Sequence, residues 1–286
     1  MNMMYAAVFT PTSTNTPQAH VFEELGHTLT KYDIKEKLIT NKNSSERDTD
    51  LIEMCKTVTP DFLLISKGAG LDIRVIEECK KVCPIVLWYM DPMINVDEEL
   101  FQKIHKSDYV FYAAPAVYKK LKNENPNSYF IHEGYDSTVH KFYDKIDYVY
   151  DTSFIGVLKE HRAQYYNHFN FNCFTDKFNH DHNRIVNQTR ININFTNNRE
   201  GTSDRAYKIM GSGGFLLTEP WEDLQKDFIP GTEVAVFNDE KEFKEKITYY
   251  LNNWMERKNI ARNGYNKVKK FTVKNWAKFI IERVQK

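Results

Sequence analysis

Short apolar runs alternate with amphipathic stretches along the whole chain, the rhythm of strands and helices taken in turn. In the first half the runs at 5–9, 28–33, 61–66, 85–89, 109–112 and 129–132 predict strands. Residues 18–25, 51–58, 72–82 and a stretch running through Lys122 predict the helices between them. In the second half, strands are predicted at 152–157, 191–195, 215–217 and 233–237. A short helix over 204–211 carries Ala206, Ile209 and Met210 on one stripe. Phe243, Ile247, Tyr250, Leu251 and Trp254 mark an amphipathic helix, and Ile260, Val268 and Phe271 mark further helical packing. Thr272 is placed to cap a last helix with Val273, Trp276, Ala277, Ile280 and Val284 on one face. Residues 163–190, rich in Tyr, Asn and His, predict a polar loop. The alternation is that of an α/β protein with parallel sheets, in which ligand-facing loops leave the carboxyl ends of the strands.

Composition narrows this picture. A chain of 286 residues has room for roughly two domains of about 100–200 residues each. Apolar content of 41% supplies two cores, and a formal net charge of zero excludes a general nucleic-acid-binding footprint. The charge is divided unevenly: residues 1–150 hold 17 Lys and Arg against 22 Asp and Glu, whereas 151–286 hold 22 against 17. The more basic second half suits an anionic ligand. Cys55, Cys79, Cys83 and Cys173 are too few and too scattered for a disulfide framework. The start MNMMYAAVFTPTS lacks a basic leader, and no run reaches membrane length. A soluble, cytoplasmic protein is expected, with the Asn-x-Ser/Thr triplets at Asn43, Asn187 and Asn194 unmodified.

The densest chemistry lies in residues 199–219, REGTSDRAYKIMGSGGFLLTE. Ser203 is an N-cap residue type, and Asp204 after it puts a carboxylate near the positive end of the helix dipole. Gly211 is placed to end the helix in the left-handed conformation, and Gly213 and Gly214 to turn the chain into the buried strand. Ahead of the helix stand Glu200, Gly201 and Thr202, a carboxylate and a small-residue loop beside amides without helical partners; such a place attracts phosphate. This order of glutamate, glycine, short helix, small-residue turn and buried strand is similar to the donor-site motif of glycosyltransferases with the two-domain GT-B fold. The string Arg-Glu-Gly-Thr-Ser-Asp-Arg, followed by Ile-Met and Gly-Gly-Phe-Leu-Leu-Thr, resembles the CgeB-like family of spore-maturation proteins. The resemblance covers most of residues 150–286 and is most specific at 191–219.

The resemblance implies two Rossmann-like domains facing across a cleft: 1–140 on the acceptor side, 141–270 binding a nucleotide-sugar donor, and a helix at 271–286 packing back on the first domain. It implies that Glu200 holds a donor-sugar hydroxyl and that Arg199, Gly201, Thr202, Ser203 and Arg205 cradle phosphate. The segment SFIGVLKEHR, with a glycine turn at Gly156 followed by Lys159 and Arg162, matches the family arrangement that completes this cradle. Fixed cations and amide dipoles stabilise negative charge on a departing nucleotide, so the expected transfer uses neither metal ion nor cofactor. The family pattern has a second glutamate eight positions after the first, near the ribose; here that position is Lys208. An ammonium is donor-only. Either Lys208 reaches a donor phosphate, or it pairs with Asp204 four residues earlier.

Other candidates are weaker. Ser13 and Thr14, in a hydroxyl-rich loop after the first strand, are acceptor-side candidates or an ordinary polar turn. Asp91, at a strand end before Pro92, is a candidate general base or a turn residue. His132, at another strand end, is a cleft residue or an ordinary satisfied histidine. Asp48-Thr49-Asp50 has the form of a metal-chelating DxD motif but reads as a solvated helix start. His161, His168, His180 and His182 lack metal-ligand spacing. Lys267, Lys269, Lys270, Lys274 and Lys278 form a wet helix side or a basic patch. The reading is a nucleotide-sugar glycosyltransferase acting on a glycan, protein, lipid or nucleic-acid base. Its alternatives are an inactive nucleotide-sugar-binding or structural surface protein, and a glycosyltransferase of nucleic-acid bases.

Overall fold

In a computed structural model describing residues 1–41, 43–159, 161–196 and 199–285, these runs resolve into two parallel sheets. Each sheet has its own unit: Met1–His132 with Val273–Lys286 form the first, and Glu133–Thr272 the second.

The first unit contains β1 (Asn2–Ala7), α1 (Asn15–Glu24), β2 (Thr28–Asp33), α2 (Ile34–Asn41), α3 (Ser44–Val58), β3 (Phe62–Ser66) and α4 (Ile73–Cys79). β4 (Ile85–Tyr89), α5 (Glu98–Lys106), β5 (Tyr109–Tyr112), α6 (Pro115–Leu121) and β6 (Ser128–Phe130) follow. The strands run parallel in the order β2-β1-β3-β4-β5-β6. Side chains alternate between the faces of a sheet, and here both faces are covered, so the central strands are apolar throughout. Met4, Leu63, Leu87 and Val110 join the core on one face, with residues of α3 to α6. Met3, Leu64, Trp88 and Phe111 join the other, with α1 and the last helix of the chain.

The second unit contains β7 (Tyr150–Ile155), α7 (His161–Phe169), β8 (Asn172–Phe174), α8 (Asn179–Asn187), β9 (Thr189–Asn194) and α9 (Asp204–Gly211). β10 (Leu216–Thr218), α10 (Leu224–Asp227), β11 (Ala235–Val236), α11 (Glu240–Asn252) and α12 (Trp254–Val268) complete it. Its parallel sheet has the order β11-β10-β9-β7-β8. One of its cores is largely aromatic: Tyr165 meets Phe195 and Phe243 with centroids 5.2 and 5.1 Å away. The final helix α13 (Val273–Val284) returns to the first unit, where Trp276 packs on Phe22 and Trp88 at 5.6 and 5.5 Å.

Several expectations change. Residues 163–190 are a helix, a strand and a second helix rather than a loop; α7 buries Tyr165 alone, so its sequence shows no apolar stripe. α3 starts at Ser44, where the Asn43 side chain accepts from the Glu46 amide at 2.8 Å. Asp48 therefore lies inside a helix, buried, bonded to Arg47 and to the Asp72 amide, while Asp50 pairs with Lys37. Both carboxylates of the DxD string are engaged by the fold. Trp254 opens α12 and is exposed instead of closing the preceding helix. Residues 133–140 and 271–272, expected in the first domain and in the terminal helix, lie in the second unit, where the Tyr135 amide donates to Phe271 O at 3.1 Å.

Candidate functional site

At the carboxyl ends of β7 and β9 one side chain ties the edge together. Arg205, in the first turn of α9, donates Nε to Ile155 O at 2.7 Å and Nη1 to Asn194 Oδ1 at 3.0 Å. These are the last residues of β7 and β9, fifty and eleven positions away in the chain. Gly156 follows at φ +153°, and a Cβ there would stand 2.9 Å from Arg205 Nη2. The glycine predicted as a phosphate turn thus makes room for a guanidinium.

Arg205 also lies over the Phe154 ring at 4.8 Å, and Arg162, from the first turn of α7, lies over the same ring at 5.9 Å. Burial first, and repulsion from Arg162 second, pull Arg205 down to about 10, with Asp204 opposing. At neutral pH Arg205 keeps its charge. Two guanidinium groups thus stand on one ring beside one glycine turn, a place suited to an anion. Lys159 is exposed, and its carbonyl accepts from the Arg162 amide at 3.1 Å, so it belongs to the same turn.

The start of α9 is less conventionally built than its sequence suggests. Ser203 stands at the N-cap with extended backbone but makes no side-chain cap bond, and among the described residues its buried Oγ has no partner. Thr202 Oγ1 accepts from Asn194 Nδ2 at 3.4 Å. Glu200 and Gly201 lie in the half-buried turn before the helix, and Arg199, at φ +57°, donates to Asn238 O at 2.8 Å. Lys208 forms an ion pair with Asp204, the second of its two readings. Burial alone would raise the Asp204 carboxyl; Lys208, with help from Arg205 and His140, outweighs it and holds the group below its ordinary value.

Gly211 was expected to end α9 by a left-handed turn. That conformation belongs to Gly213, at φ +76°, whose amide donates to Met210 O. Gly211 serves close packing instead: a Cβ there would come within 2.3 Å of the Tyr135 ring.

The other candidates belong to the first unit. Asp91, just past β4, accepts from Lys67 Nζ at 2.7 Å, and the Lys67 amide donates to Trp88 O, so the pair ties the ends of β3 and β4. His132 packs edge-on against Phe130 at 4.8 Å. Ser13 Oγ accepts from the amide and side chain of Asn15, and Thr14 is the N-cap residue of α1 without a side-chain cap bond.

Two residues at the second unit's edge were missed as a pair. Glu219, directly after β10, is buried; its Oε2 accepts from the Thr196 amide at 2.8 Å and lies 3.2 Å from His161 Nε2. A carboxylate at the carboxyl end of an apolar strand was the available signal. His140 and His182 were also hidden: their rings meet at 5.2 Å, both are buried, and among the described residues neither His182 nitrogen has a partner.

Comparison with known proteins supplies the context. Residues 153–282 match the family model described as glycosyl transferase-like. A search of curated proteins returns no significant match. Among solved structures, HepE of Anabaena, determined in complex with UDP-glucose, is 9% identical with a TM-score of 0.73, over 100% of this chain and 99% of that one. Sucrose-phosphate synthase of Thermosynechococcus elongatus is 9% identical with a TM-score of 0.75, covering 100% and 98%. A glycosyltransferase of Rickettsia africae is 8% identical with a TM-score of 0.71, covering 99% and 97%. The chain thus has the GT-B fold of two Rossmann-like units, and its residues 153–282 are similar to the glycosyl transferase-like family.

Proposed function

We propose that this protein transfers a sugar from a nucleoside-diphosphate donor to an acceptor, without a metal ion, and that within the glycosyltransferases it is CgeB-like. The carrying observation is the pair Arg162 and Arg205 on one aromatic ring beside Gly156, a fixed cationic spot at the strand ends. The UDP-glucose bound to HepE, a protein of the same fold, supports a nucleotide-sugar as the donor. In the reaction the acceptor oxygen attacks the anomeric carbon, the carbon–oxygen bond to the diphosphate breaks, and its electron pair leaves on phosphate. Arg162, Arg205 and Lys159 stabilise that charge as it grows, each charge-assisted contact contributing roughly 1.5–3 kcal/mol. Gly201, Thr202 and Ser203 offer backbone amides and hydroxyls to the same phosphates, and Glu200 holds a sugar hydroxyl. Lys208 is spent on Asp204 and steadies the helix start. The first unit takes the acceptor, with Asp91 or His132 accepting its proton and Ser13 and Thr14 beside it; the protein works in the cytoplasm. No described helix is long and apolar enough to cross a membrane.

Calorimetry over a panel of nucleoside diphosphates and sugar-release assays with the matching donors test this reading. Binding of at least one diphosphate, lost in Arg162→Ala and Arg205→Ala and unchanged by a chelator, is expected; affinity unaffected by either substitution removes the site. Lys208 in place of a ribose-binding acid favours one other reading, a binder without catalysis. It predicts a bound donor that is neither hydrolysed nor transferred.

A further inference from the structure

The amino ends of the second sheet carry a pocket that sugar transfer does not use. It encloses about 560 Å³, within the range of roughly 300–1,000 Å³ typical of small-molecule sites. Tyr148 precedes β7, Arg190 is the second residue of β9, and Gly213, Gly214 and Phe215 precede β10; all five line it. The cradle around Arg205 lies at the opposite ends of these strands. With β7 and β9 of six residues each, the two places are about 20 Å apart at a strand rise of about 3.3 Å per residue.

One wall of the pocket is a stripe of α12: Trp254, Lys258, Ala261, Arg262 and Tyr265 recur at helical spacing. The facing wall is held in place. The Lys141 amide donates to Asn183 Oδ1 at 3.0 Å and the Tyr143 amide to Asn187 Oδ1 at 2.9 Å, which fixes the segment carrying Phe142. The Phe142 ring sits on Gly213, where a Cβ would come within 2.5 Å of it.

The lining combines exposed rings with an excess of positive charge. Phe142, Tyr148 and Trp254 are 51%, 42% and 54% exposed, unusual for large rings brought together on one surface. Arg190, Arg257, Lys258 and Arg262 face them with Asp144 as the single carboxylate of the lining. Arg190 is paired with Asp151 at 3.1 Å. Among the described residues, no carboxylate forms an ion pair with Arg257, Lys258 or Arg262. Arg257 is 3% exposed and donates Nη1 to Tyr250 O at 2.5 Å, so it is a buried cation satisfied by a carbonyl, with Asp151 acting on it only at longer range. Arg190 and Arg257 lie over the Tyr148 ring at 5.4 and 5.9 Å, and Lys258 over Trp254 at 5.2 Å. Rings offer stacking faces and the cations beside them an anchor for negative charge.

We propose that this pocket binds a small organic anion with a flat ring body, its acidic group held by Arg257, Lys258 and Arg262 and its ring against Tyr148 and Trp254. The probe is 8-anilinonaphthalene-1-sulfonate, with the uncharged N-phenyl-1-naphthylamine as its control, titrated into the full chain and followed by fluorescence. The sulfonate is expected to bind once per chain and about tenfold more tightly than the neutral amine, the ratio that one charge-assisted contact provides. The double variant Lys258→Glu with Arg262→Glu, two exposed positions, and separately Trp254→Ala, should each weaken the sulfonate by about tenfold or more while circular dichroism stays unchanged. Saturating UDP should leave the probe in place. Equal affinity for the two probes, unchanged affinity in the double variant, or displacement by UDP overturns the proposal; the comparison of variants stands whichever nucleotide the other edge takes.

Discussion

Gly156 and Arg205 are fitted to each other, and neither letter of the sequence announces the fit. The glycine reads as a phosphate turn and the arginine as part of a helix start, yet the guanidinium fills the space a Cβ would need. Gly156→Ala should therefore displace Arg205 and meet the Phe154 ring as well, at 2.9 Å. Nucleoside-diphosphate affinity in calorimetry should drop about tenfold, with a stability loss of roughly 1–3 kcal/mol from overpacking. Full affinity would mean that Arg205 does not hold phosphate. The pair Lys208 and Asp204 was legible as one of two readings, because an i,i+4 acid and base meet on any helix. Its titration has a definite sign. Lys208 holds Asp204 below its ordinary value, so the pair contributes stability above the unfolded-chain value of about 4, and loses it as pH falls through the lower folded value. Lys208→Ala should destabilise the protein by roughly 1–3 kcal/mol near neutrality, and by less below about pH 4, in urea titrations at the two pH values.

Among the elements, those buried on both faces were the most legible. The predicted runs 85–89 and 109–112 coincide with β4 and β5, because a short apolar stretch between covered faces has few alternatives. α2 and α7 escaped notice for the converse reason: α2 buries Ile34 alone and α7 only Tyr165. Helices so lightly buried leave no periodic stripe to read, whereas α8 hid because three of the five residues it buries, His182, Asn183 and Asn187, are polar. The last helix shows how far a clear stripe reaches. Trp276, Ala277 and Ile280 were assigned to one face from spacing alone, and that face covers the sheet of the first unit, more than a hundred and eighty positions from Trp88 in the chain. Trp276 is 1% exposed and touches Phe22 and Trp88. Trp276→Ala should cost roughly 3–5 kcal/mol, measured by chemical denaturation, with lost amide protection concentrated in β1, β3 and β4. A loss below about 1 kcal/mol would show that the helix is dispensable to that core.

At the scale of the whole molecule the two-sheet plan was readable in the sequence, and at 9% identity to HepE it is the fold, not the letters, that the two proteins share. The pocket at the amino ends of the second sheet and the histidine pair were not readable, since each joins segments distant in the chain. The pair makes the second unit sensitive to acid. Burial is the main reason His140 is lowered to about 3; Lys208 and His180 push the same way, and Asp204 and Asp136 oppose. His182 is held well below its ordinary value by burial first, then by His140, Lys208 and Arg205. Both are neutral in the fold, whereas an unfolded chain binds their protons below about pH 6.5. The unfolded state therefore gains protons first, and stability falls as pH drops from about 6.5, by up to roughly 1.4 kcal/mol per unit for each histidine until its folded value is reached. This window lies mostly above that of Asp204, so the two effects separate. Hydrogen exchange should show β9 and α8 of the second unit losing protection between about pH 6 and 5 ahead of β3 and β4 of the first. His140→Gln, which cannot titrate, should flatten the pH dependence of the denaturation midpoint by about half in that range. A slope identical to that of the parent chain would mean that protons on these rings are accommodated without opening the fold.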